Sequence, residues 1–328
     1  MKKMLVTGGS GFLGSRVAQY FAENYEVYAP TRREMDITRA ESVDAVVDAF
    51  QPDVVIHCAA MSDVGQCRKE PEASWAKNVT GSVNMARAAG RVGAKCLLCS
   101  SDQVYFAVPD NLYAKEKLAA EQEGLRINPN SIFLRLTWMY DPAPLEISRH
   151  RDFFSNTLPK LYTEEVLSFA IHDKRGITDV HSVIRNLEKA MDLPGGAYDF
   201  GCTNSKCMYQ TAVDLFAGLG LDTGRIRADE TSFRENPRDM TLNLEAVNRY
   251  GITFADTTEE LIRNFSKYLY QKTPQVCPGV LSVVWDSILD GVQVLPAVAA
   301  DGNNHGGFGD DFIQNTRPGT HQNIVNNP

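Results

Sequence analysis

The feature that most constrains this chain is a glycine-rich turn directly behind a short apolar strand. Met4-Leu5-Val6 precedes Thr7-Gly8-Gly9-Ser10-Gly11-Phe12-Leu13-Gly14. A dinucleotide pyrophosphate needs backbone N–H groups and a helix N-terminus close to it, with no Cβ between. We expect Gly8 to permit the tight turn, Gly11 to let the pyrophosphate approach, and Gly14 to let the next helix pack on the sheet. The alternative is an ordinary glycine turn between a strand and a helix.

Strand and helix patterns alternate from residue 3 to about 136, which predicts an α/β fold with a doubly wound parallel sheet, the Rossmann arrangement. Thr38 and Glu41 predict a capping box, and Pro71 predicts the start of a long helix. The predicted helices are 15–25, 39–50, 71–91, 180–191, 209–219 and 257–270. We divide the chain into a dinucleotide-binding domain (1–140), a small mixed C-terminal lobe (141–272) and an atypical tail (273–328) that we expect to be poorly ordered.

A second motif, Tyr113-Ala114-Lys115-Glu116-Lys117, lies about a hundred residues downstream of the glycines. The i, i+4 spacing places Tyr113 and Lys117 on one face of a helix. A tyrosine hydroxyl has an unperturbed pKa near ~10, and a neighbouring ammonium favours the phenolate. We therefore expect Lys117 to lower the pKa of Tyr113 and to make it a proton donor beside the cofactor. The alternative is a surface pair on an amphipathic helix.

Charge and cysteine usage exclude several classes of partner. The 328 residues carry a net charge of −8 with no basic block, which disfavours nucleic acid and anionic membranes. We expect no membrane span and no signal peptide, because no apolar run is long enough. Seven cysteines, an odd number, favour the reducing cytoplasm. The C-x-x-C formed by Cys96 and Cys99 lies on a strand, and the histidines do not cluster, so we expect no zinc or redox role for that pair and no metal site.

The end of the second predicted strand bears on the choice of cofactor. An acidic residue there would accept the ribose hydroxyls and favour NAD, but none appears before Glu34. Arg32 and Arg33 offer charge-assisted hydrogen bonds to a 2′-phosphate instead. We therefore expect NADP(H) rather than NAD(H). The alternative is that both arginines lie in a solvated loop.

The G-x-x-G-x-x-G spacing with Tyr-x-x-x-Lys resembles the extended short-chain dehydrogenases/reductases, and further runs resemble their dTDP-4-dehydrorhamnose reductase-like, sugar nucleotide-binding branch. The resemblance covers roughly residues 1–270. The runs are Glu34-Met35-Asp36-Ile37-Thr38, Pro52 to Ala60, Lys77-Asn78-Val79-Thr80-Gly81, Cys96 to Phe106, Leu134 to Tyr140, Ala197 to Gly201, and Pro237-Arg238-Asp239-Met240.

The resemblance implies a role for each matching residue. Ser101 would orient the substrate carbonyl, Tyr113 would protonate the nascent alkoxide, and Lys117 would bind the nicotinamide ribose. Asp102 and Trp138 would contact the substrate under the C-terminal lobe, although Trp138 is equally compatible with a core position. The cofactor-binding set is Gly8, Gly11, Phe12, Leu13, Gly14, Arg32, Arg33, Asp36, Ile37, Cys58, Ala59, Ala60, Asn78, Tyr113 and Lys117.

One departure from the family keeps alternatives open. Only Ala107 to Leu112 separate Phe106 from Tyr113, where the reductases have a longer loop that helps cover the substrate. We expect NADP(H)-dependent reduction of a 4-keto deoxysugar nucleotide, as in dTDP-rhamnose biosynthesis. The alternatives are a non-catalytic NADP-binding regulatory subunit, like that of methionine adenosyltransferase, and a nucleotide-sugar epimerase or dehydratase. The expected partner is the small nucleotide sugar, and a homodimer is left open.

Overall fold

The computed structural model describes residues 1–108, 111–142, 152–161, 163 and 165–272. Strands alternate with helices through the region where the sequence pattern alternates, and further strands follow in the C-terminal lobe. The strands are β1 (Lys2–Thr7), β2 (Tyr25–Tyr28), β3 (Val54–His57), β4 (Lys95–Ser101), β5 (Ile132–Leu136), β6 (Trp138–Tyr140), β7 (Leu167–Ala170), β8 (Asp173–Arg175), β9 (Ile177–Asp179), β10 (Gly196–Phe200), β11 (Ile226–Asp229) and β12 (Arg238–Met240).

Six of these strands form one sheet in the order β10-β5-β4-β3-β1-β2, and all neighbouring pairs are parallel. From β1 the chain moves outward to β2 and then returns to the other side of β1 as β3. Loops that leave β1 and β3 in opposite directions open a crevice at the carboxyl ends of these strands. The predicted doubly wound parallel sheet is confirmed, and the glycine turn lies at this crevice.

Helices cover both faces of the sheet. They are α1 (Phe12–Phe21), α2 (Ala40–Phe50), α3 (Val64–Lys69), α4 (Pro71–Trp75), α5 (Gly81–Val92), α6 (Leu112–Ile127), α7 (Phe153–Thr157), α8 (Val180–Ala190), α9 (Met208–Gly218), α10 (Glu245–Asn248) and α11 (Thr257–Lys272). Met4 and Val6 of β1 face a core shared with α1 and α8, whereas Leu5 faces a core shared with α2, α5 and α6. This alternation along β1 is the period-two pattern of a strand that is buried on both sides.

Two local predictions are wrong. The first helix begins at Phe12 and ends at Phe21 rather than spanning 15–25, because Gly11 already caps it and Tyr25 opens β2. The predicted capping box does not form, since the N-cap of α2 is Arg39, without a side-chain hydrogen bond. Thr38 instead donates both its N–H and its hydroxyl to Asp36 Oδ1.

The long helix predicted over 71–91 is confirmed with a local irregularity. A π-helical turn, Ala76–Thr80, joins α4 to α5 without a break. Such insertions shift the helical register and are frequent at functional sites. Here the π turn contains Asn78.

The C-terminal lobe is built from three two-stranded parallel pairs, β7–β11, β8–β12 and β6–β9, against α9 and α11. The three helices predicted in this part of the chain agree with α8, α9 and α11 to within two residues. Two elements of the C-terminal part also belong to the large sheet: β10 pairs with β5, and α8 packs on the face of the sheet. The large sheet therefore contains residues from both of the predicted domains. The predicted tail, 273–328, lies outside the described residues. No helix that the structure describes is long and apolar enough to cross a membrane.

Candidate active site

The turn after β1 depends on two glycines. Gly8 has φ +70°, and a Cβ there would lie 2.9 Å from Ala59 N. A Cβ on Gly14 would collide with the carbonyl oxygen of Gly8, so α1 reaches the turn only because this position lacks a side chain. The exposed Gly11 closes the turn by donating its N–H to Gly8 O at 2.8 Å. The tight turn predicted at Gly8 is present, Gly14 lets α1 approach this turn, and the pyrophosphate role of Gly11 stays a prediction.

The residues that follow β3 form the opposite wall of the crevice. Exposure increases from buried His57 through Cys58 and Ala59 to exposed Ala60. The Thr7 hydroxyl accepts from Ala59 N–H at 3.1 Å and lies 2.7 Å from His57 Nδ1, which ties the ends of β1 and β3 together. Burial, and then the Lys117 charge, lowers the pKa of His57 to about 3, so this imidazole is neutral.

The predicted adenosine end of the site lies beyond β2. Arg32 and Arg33 are exposed in the turn after this strand, which ends at Tyr28. The hydrogen bond from the Thr38 hydroxyl, and then the Arg32 and Arg39 charges, lower the pKa of Asp36. The Asp36 carboxylate is thus already engaged by Thr38. Three further members of the predicted cofactor set pack into the fold: Phe12 against the Arg16 guanidinium, Leu13 in the core, and Ile37 against Gly81.

Ser101, Tyr113 and Lys117 meet at the carboxyl end of β4. Ser101 is the last residue of this strand, and Tyr113 and Lys117 lie one turn apart in α6. The Ser101 hydroxyl is close enough to the Tyr113 hydroxyl to lower the pKa of that phenol by hydrogen bonding. Lys117 Nζ lies 5.7 Å from the centroid of the Tyr113 ring and donates to Cys99 O at 2.8 Å. The structure therefore brings the three predicted catalytic side chains together.

The neighbouring serine faces away, as strand alternation predicts. Ser100 Oγ donates to Glu121 Oε1 at 2.5 Å, and Glu121 also binds the Arg135 guanidinium. Ser101 Oγ instead lies 3.2 Å from Asp102 Oδ1 and accepts from Gln103 N–H at 3.2 Å. A hydroxyl has one hydrogen, so Ser101 donates either to Asp102 or to the Tyr113 oxygen. Ser101 therefore lies between the Asp102 carboxylate and the Tyr113 hydroxyl.

The expected lowering of the tyrosine pKa is wrong for this structure. Burial raises the pKa of Tyr113, and hydrogen bonding from Ser101 only partly opposes this rise. The same burial lowers the pKa of Lys117. A group that is moved out of water favours its neutral form. The i, i+4 spacing predicts that the two side chains lie close together, but it does not predict that both are removed from water.

Asn78 lies behind the site rather than on its surface. It is fully buried, and its amide accepts from Met61 N–H at 2.8 Å and donates to Glu116 Oε2 at 2.7 Å. Ser74 donates to the same carboxylate oxygen at 2.6 Å. Glu116, which sequence reasoning missed, therefore fastens α6 to the π turn. Its position between Tyr113 and Lys117 in the motif was the available signal.

A charged cluster from the C-terminal lobe faces Ser101. Asp102 is 2% exposed, and its Oδ2 has no hydrogen-bond partner within the described residues. Burial raises the pKa of Asp102 to about 6, although the nearby Arg175 and Arg238 charges oppose the rise. Arg238 is paired with buried Asp173 through Nη2 at 2.6 Å. Neither arginine is recognisable as a site residue from the sequence, because β8 and β12 are short and lie far apart in the chain.

Aromatic rings enclose these guanidinium groups. Arg238 lies 3.5 Å from the centroid of Phe233, whose φ of 61° is unusual for a residue other than glycine. Arg175 lies 5.4 Å from the centroid of Trp138, which is partly buried and also packs edge-on against Phe153. Trp138 is therefore at the margin of the lobe core and next to the charged cluster, so both predicted alternatives for it fit.

The short connection before α6 is held by its cap. Asn111 Oδ1 accepts from Ala114 N–H at 3.1 Å, and Asn111 Nδ2 donates to Gln103 Oε1 at 2.9 Å. This side chain joins the start of α6 to the segment that follows β4. Asn111 is therefore the N-cap of α6, and Pro109 and Asp110 lie outside the described residues.

Comparison with known proteins places this geometry in a family. The family model described as the RmlD substrate binding domain matches residues 1–267. The chain belongs to this family. It is 33% identical to a dTDP-4-dehydrorhamnose reductase from Aggregatibacter actinomycetemcomitans over 82% of this chain and 99% of that protein. It is also 26% identical to methionine adenosyltransferase 2 subunit beta from Pongo abelii, over 76% of this chain and 83% of that protein.

The fold is similar to that of solved reductases. A crystal structure of dTDP-4-dehydrorhamnose reductase from Bacillus anthracis in complex with NADP superimposes with a TM-score of 0.69, at 24% identity. The similarity covers 81% of this chain and 99% of that one. The resemblance noted from the sequence is confirmed.

Proposed function

We propose that this chain reduces the 4-keto group of a deoxysugar nucleotide, dTDP-4-dehydrorhamnose, with NADPH. The observation that carries the proposal is the meeting of Ser101, Tyr113 and Lys117 at the carboxyl edge of the sheet, beside a glycine turn. Family membership and the reductase relative support it.

The glycine turn fits a dinucleotide. Gly11 is exposed at the N-terminus of α1, and the turn has no Cβ between the helix amides and the crevice. Lys117 would hold the nicotinamide ribose. The residues that follow β3, Cys58, Ala59 and Ala60, would form the opposite wall of the cofactor crevice. When bound, NADPH supplies the hydride.

The catalytic side chains would act on the carbonyl oxygen. Ser101 would turn its hydrogen to the substrate oxygen and orient it. Tyr113 would then protonate the alkoxide as it forms. The raised pKa of Tyr113 suits this direction, because it keeps the phenol protonated and ready to donate. Asp102, Arg175 and Arg238 would face the nucleotide sugar from the lobe side.

NADPH is the proposed cofactor in preference to NADH. Arg32 and Arg33 are exposed where a 2′-phosphate would lie, and the Asp36 carboxylate is engaged by Thr38 rather than open to ribose hydroxyls. We expect tighter binding of NADPH than of NADH in a fluorescence titration. Replacing Arg32 and Arg33 with alanine should reduce the difference in affinity between NADPH and NADH, whereas replacing the distant Arg249 with alanine should not. Equal affinity of the unmodified protein for both cofactors would refute the preference.

The activity is tested by following NADPH oxidation with a panel of nucleotide-linked 4-keto sugars. Reduction of dTDP-4-dehydrorhamnose supports the proposal. An epimerase or dehydratase would convert a nucleotide sugar without net oxidation of NADPH, and product analysis by NMR would reveal it.

A non-catalytic NADP-binding subunit is the second candidate. The short connection between Phe106 and Tyr113 favours it, because it leaves less chain to cover a substrate. The similarity to methionine adenosyltransferase 2 subunit beta points the same way. Binding of NADPH without turnover of any nucleotide sugar would select this candidate.

A further inference from the structure

Two thiols lie side by side in the crevice where the cofactor is proposed to bind. The register of β3 against β4 pairs Val54 with Lys95 through His57 with Leu98, so Cys58 follows directly opposite Cys99. Their Sγ atoms are 3.7 Å apart. Neighbouring strands are about 4.7–4.9 Å apart, within the range of about 4.4–6.8 Å that disulfide-linked Cα atoms span. The pair is therefore placed for a bond that needs side-chain rotation and little backbone movement.

The surroundings of this pair favour reaction at Cys99. Cys58 and Cys99 are partly buried residues, whereas Cys96 on the same strand is fully buried in the opposite core. The hydrogen bond with Cys58 and the nearby Lys117 ammonium lower the pKa of Cys99, and the same hydrogen bond raises the pKa of Cys58. The thiolate is the nucleophilic form of cysteine, so Cys99 is the attacking sulfur and Cys58 the resolving one.

We propose that Cys58 and Cys99 are an oxidative modification site, at which a hydroperoxide converts the two thiols into an intramolecular disulfide. The Cys99 thiolate attacks the peroxide, an S–O bond forms, the O–O bond breaks, and water or an alcohol leaves. The Cys58 sulfur then attacks the sulfenic acid, the S–S bond forms, the S–O bond breaks, and the Cys58 proton leaves with the hydroxide as water. The two sulfurs are oxidised by two electrons, and the peroxide is reduced.

One consequence of this disulfide concerns NADPH, and it rests on the proposed function, which has the cofactor bind in this crevice. Cys58 belongs to the proposed wall of that site, and the Cys99 carbonyl oxygen accepts a hydrogen bond from Lys117. A disulfide would cross-link the two strand ends beneath the nicotinamide. Bound NADPH would shield both sulfurs, so the cofactor and the disulfide should exclude each other.

The experiment treats the full chain with hydrogen peroxide, with and without NADPH. We expect a loss of intact mass equal to two hydrogen atoms, a fragmentation spectrum that places the bond between Cys58 and Cys99, and reversal by dithiothreitol. Cys99→Ser should abolish the link, whereas Cys96→Ser, three residues away on the same strand, should retain it. The wild-type fragmentation spectrum decides the matter if a variant does not fold.

Links formed only through Cys207 or Cys277, or a Cys58–Cys99 pair that remains reduced while other thiols oxidise, would overturn the proposal. Formation of the disulfide is measured without turnover, so its failure is distinct from failure of the reductase assignment. Equal rates of disulfide formation with and without saturating NADPH would refute the shielding, and would place the pair outside the cofactor's footprint.

Discussion

At the scale of single residues, the proposed reaction depends on the hydroxyl of Tyr113. Tyr113→Phe keeps the buried ring but removes the proton, so we expect turnover to fall by roughly 10²–10⁴ while NADPH affinity stays nearly unchanged. Lys117→Ala should weaken NADPH binding as well, because the ammonium is proposed to hold the ribose. Steady-state kinetics and cofactor titration of both variants make the comparison. Near-full activity of Tyr113→Phe would show that a group other than Tyr113 donates the proton.

Asp102 gives a prediction about stability whose sign follows from its pKa. Burial raises the pKa of this carboxyl from an ordinary value of 3.8 to about 6 in the folded protein. The folded state therefore binds more protons between these values, and stability falls as the pH rises through them. Asp102→Asn removes this penalty, which is at most about 3 kcal/mol at neutral pH. Its amide can still accept from Ser101.

Urea denaturation without cofactor tests this prediction. We expect Asp102→Asn to be more stable than the unmodified protein at about pH 7.5, with a smaller gain at about pH 4.5, where the native carboxyl is largely protonated. Asp239→Asn is the matched control of opposite sign, because hydrogen bonds from Thr241 lower the pKa of Asp239. A loss of stability in Asp102→Asn near pH 7.5 would show that the ionised carboxylate is stabilising.

The limits of sequence reasoning at this scale have a physical cause. Ser101, Tyr113 and Lys117 were predictable because a strand end and one helical turn fix their positions locally. Arg175 and Arg238 reach Asp102 only through the pairing of β8 with β12. Cys58 and Cys99 meet only through the register of β3 and β4. Contacts that depend on tertiary pairing leave no spacing signal in the chain.

At the scale of elements, the glycine turn after β1 can be tested against a matched glycine. Gly8 and Gly93 both have φ +70°, but a Cβ on Gly93 would meet nothing within 4 Å. Gly93→Ala should therefore cost only the left-handed backbone strain, roughly 1–2 kcal/mol. Gly8→Ala should cost more, because its Cβ also strikes the backbone at Ala59, and overpacking of this kind adds about 1–3 kcal/mol.

Denaturation of the two alanine variants gives the energies, and NADPH titration gives the function. Gly93→Ala should bind NADPH normally, since Gly93 ends α5 at the amino side of β4. Gly8→Ala should lose binding. Equal destabilisation with intact binding in both would show that the turn tolerates a side chain.

Element boundaries were less predictable than element types. The alternating pattern gave the parallel sheet because strands buried on both sides are short continuous apolar runs. The start of α2 was predicted to within one residue, but its cap was not, because Thr38 is hydrogen-bonded to Asp36 rather than to the helix. The π turn was not predicted, and its Asn78 is hydrogen-bonded to Glu116 of a distant helix, a contact that leaves no spacing signal in the sequence.

At the scale of the whole molecule, the described fold ends with α11, and the matching family region ends at residue 267. Leu261 and Phe265 of this helix lie in the lobe core. Glu260 accepts from Asp179 N–H at 2.7 Å and from the Ser182 hydroxyl at 2.6 Å, which joins α11 to β9 and α8. The C-terminal lobe therefore needs α11, and none of these contacts involves residues beyond it.

Two truncations separate the tail from the lobe. Removal of residues 300–328 should leave folding and NADPH affinity unchanged, because the glycine turn, β4 and α6 are complete without them. Removal from Thr257 onward should unfold the lobe, because it strips Leu261 and Phe265 from the core and leaves buried Asp179 N–H without its acceptor. Circular dichroism, thermal denaturation and NADPH titration compare both with the full chain. A protein shortened at residue 299 that folds but no longer binds NADPH would place the tail in the cofactor site.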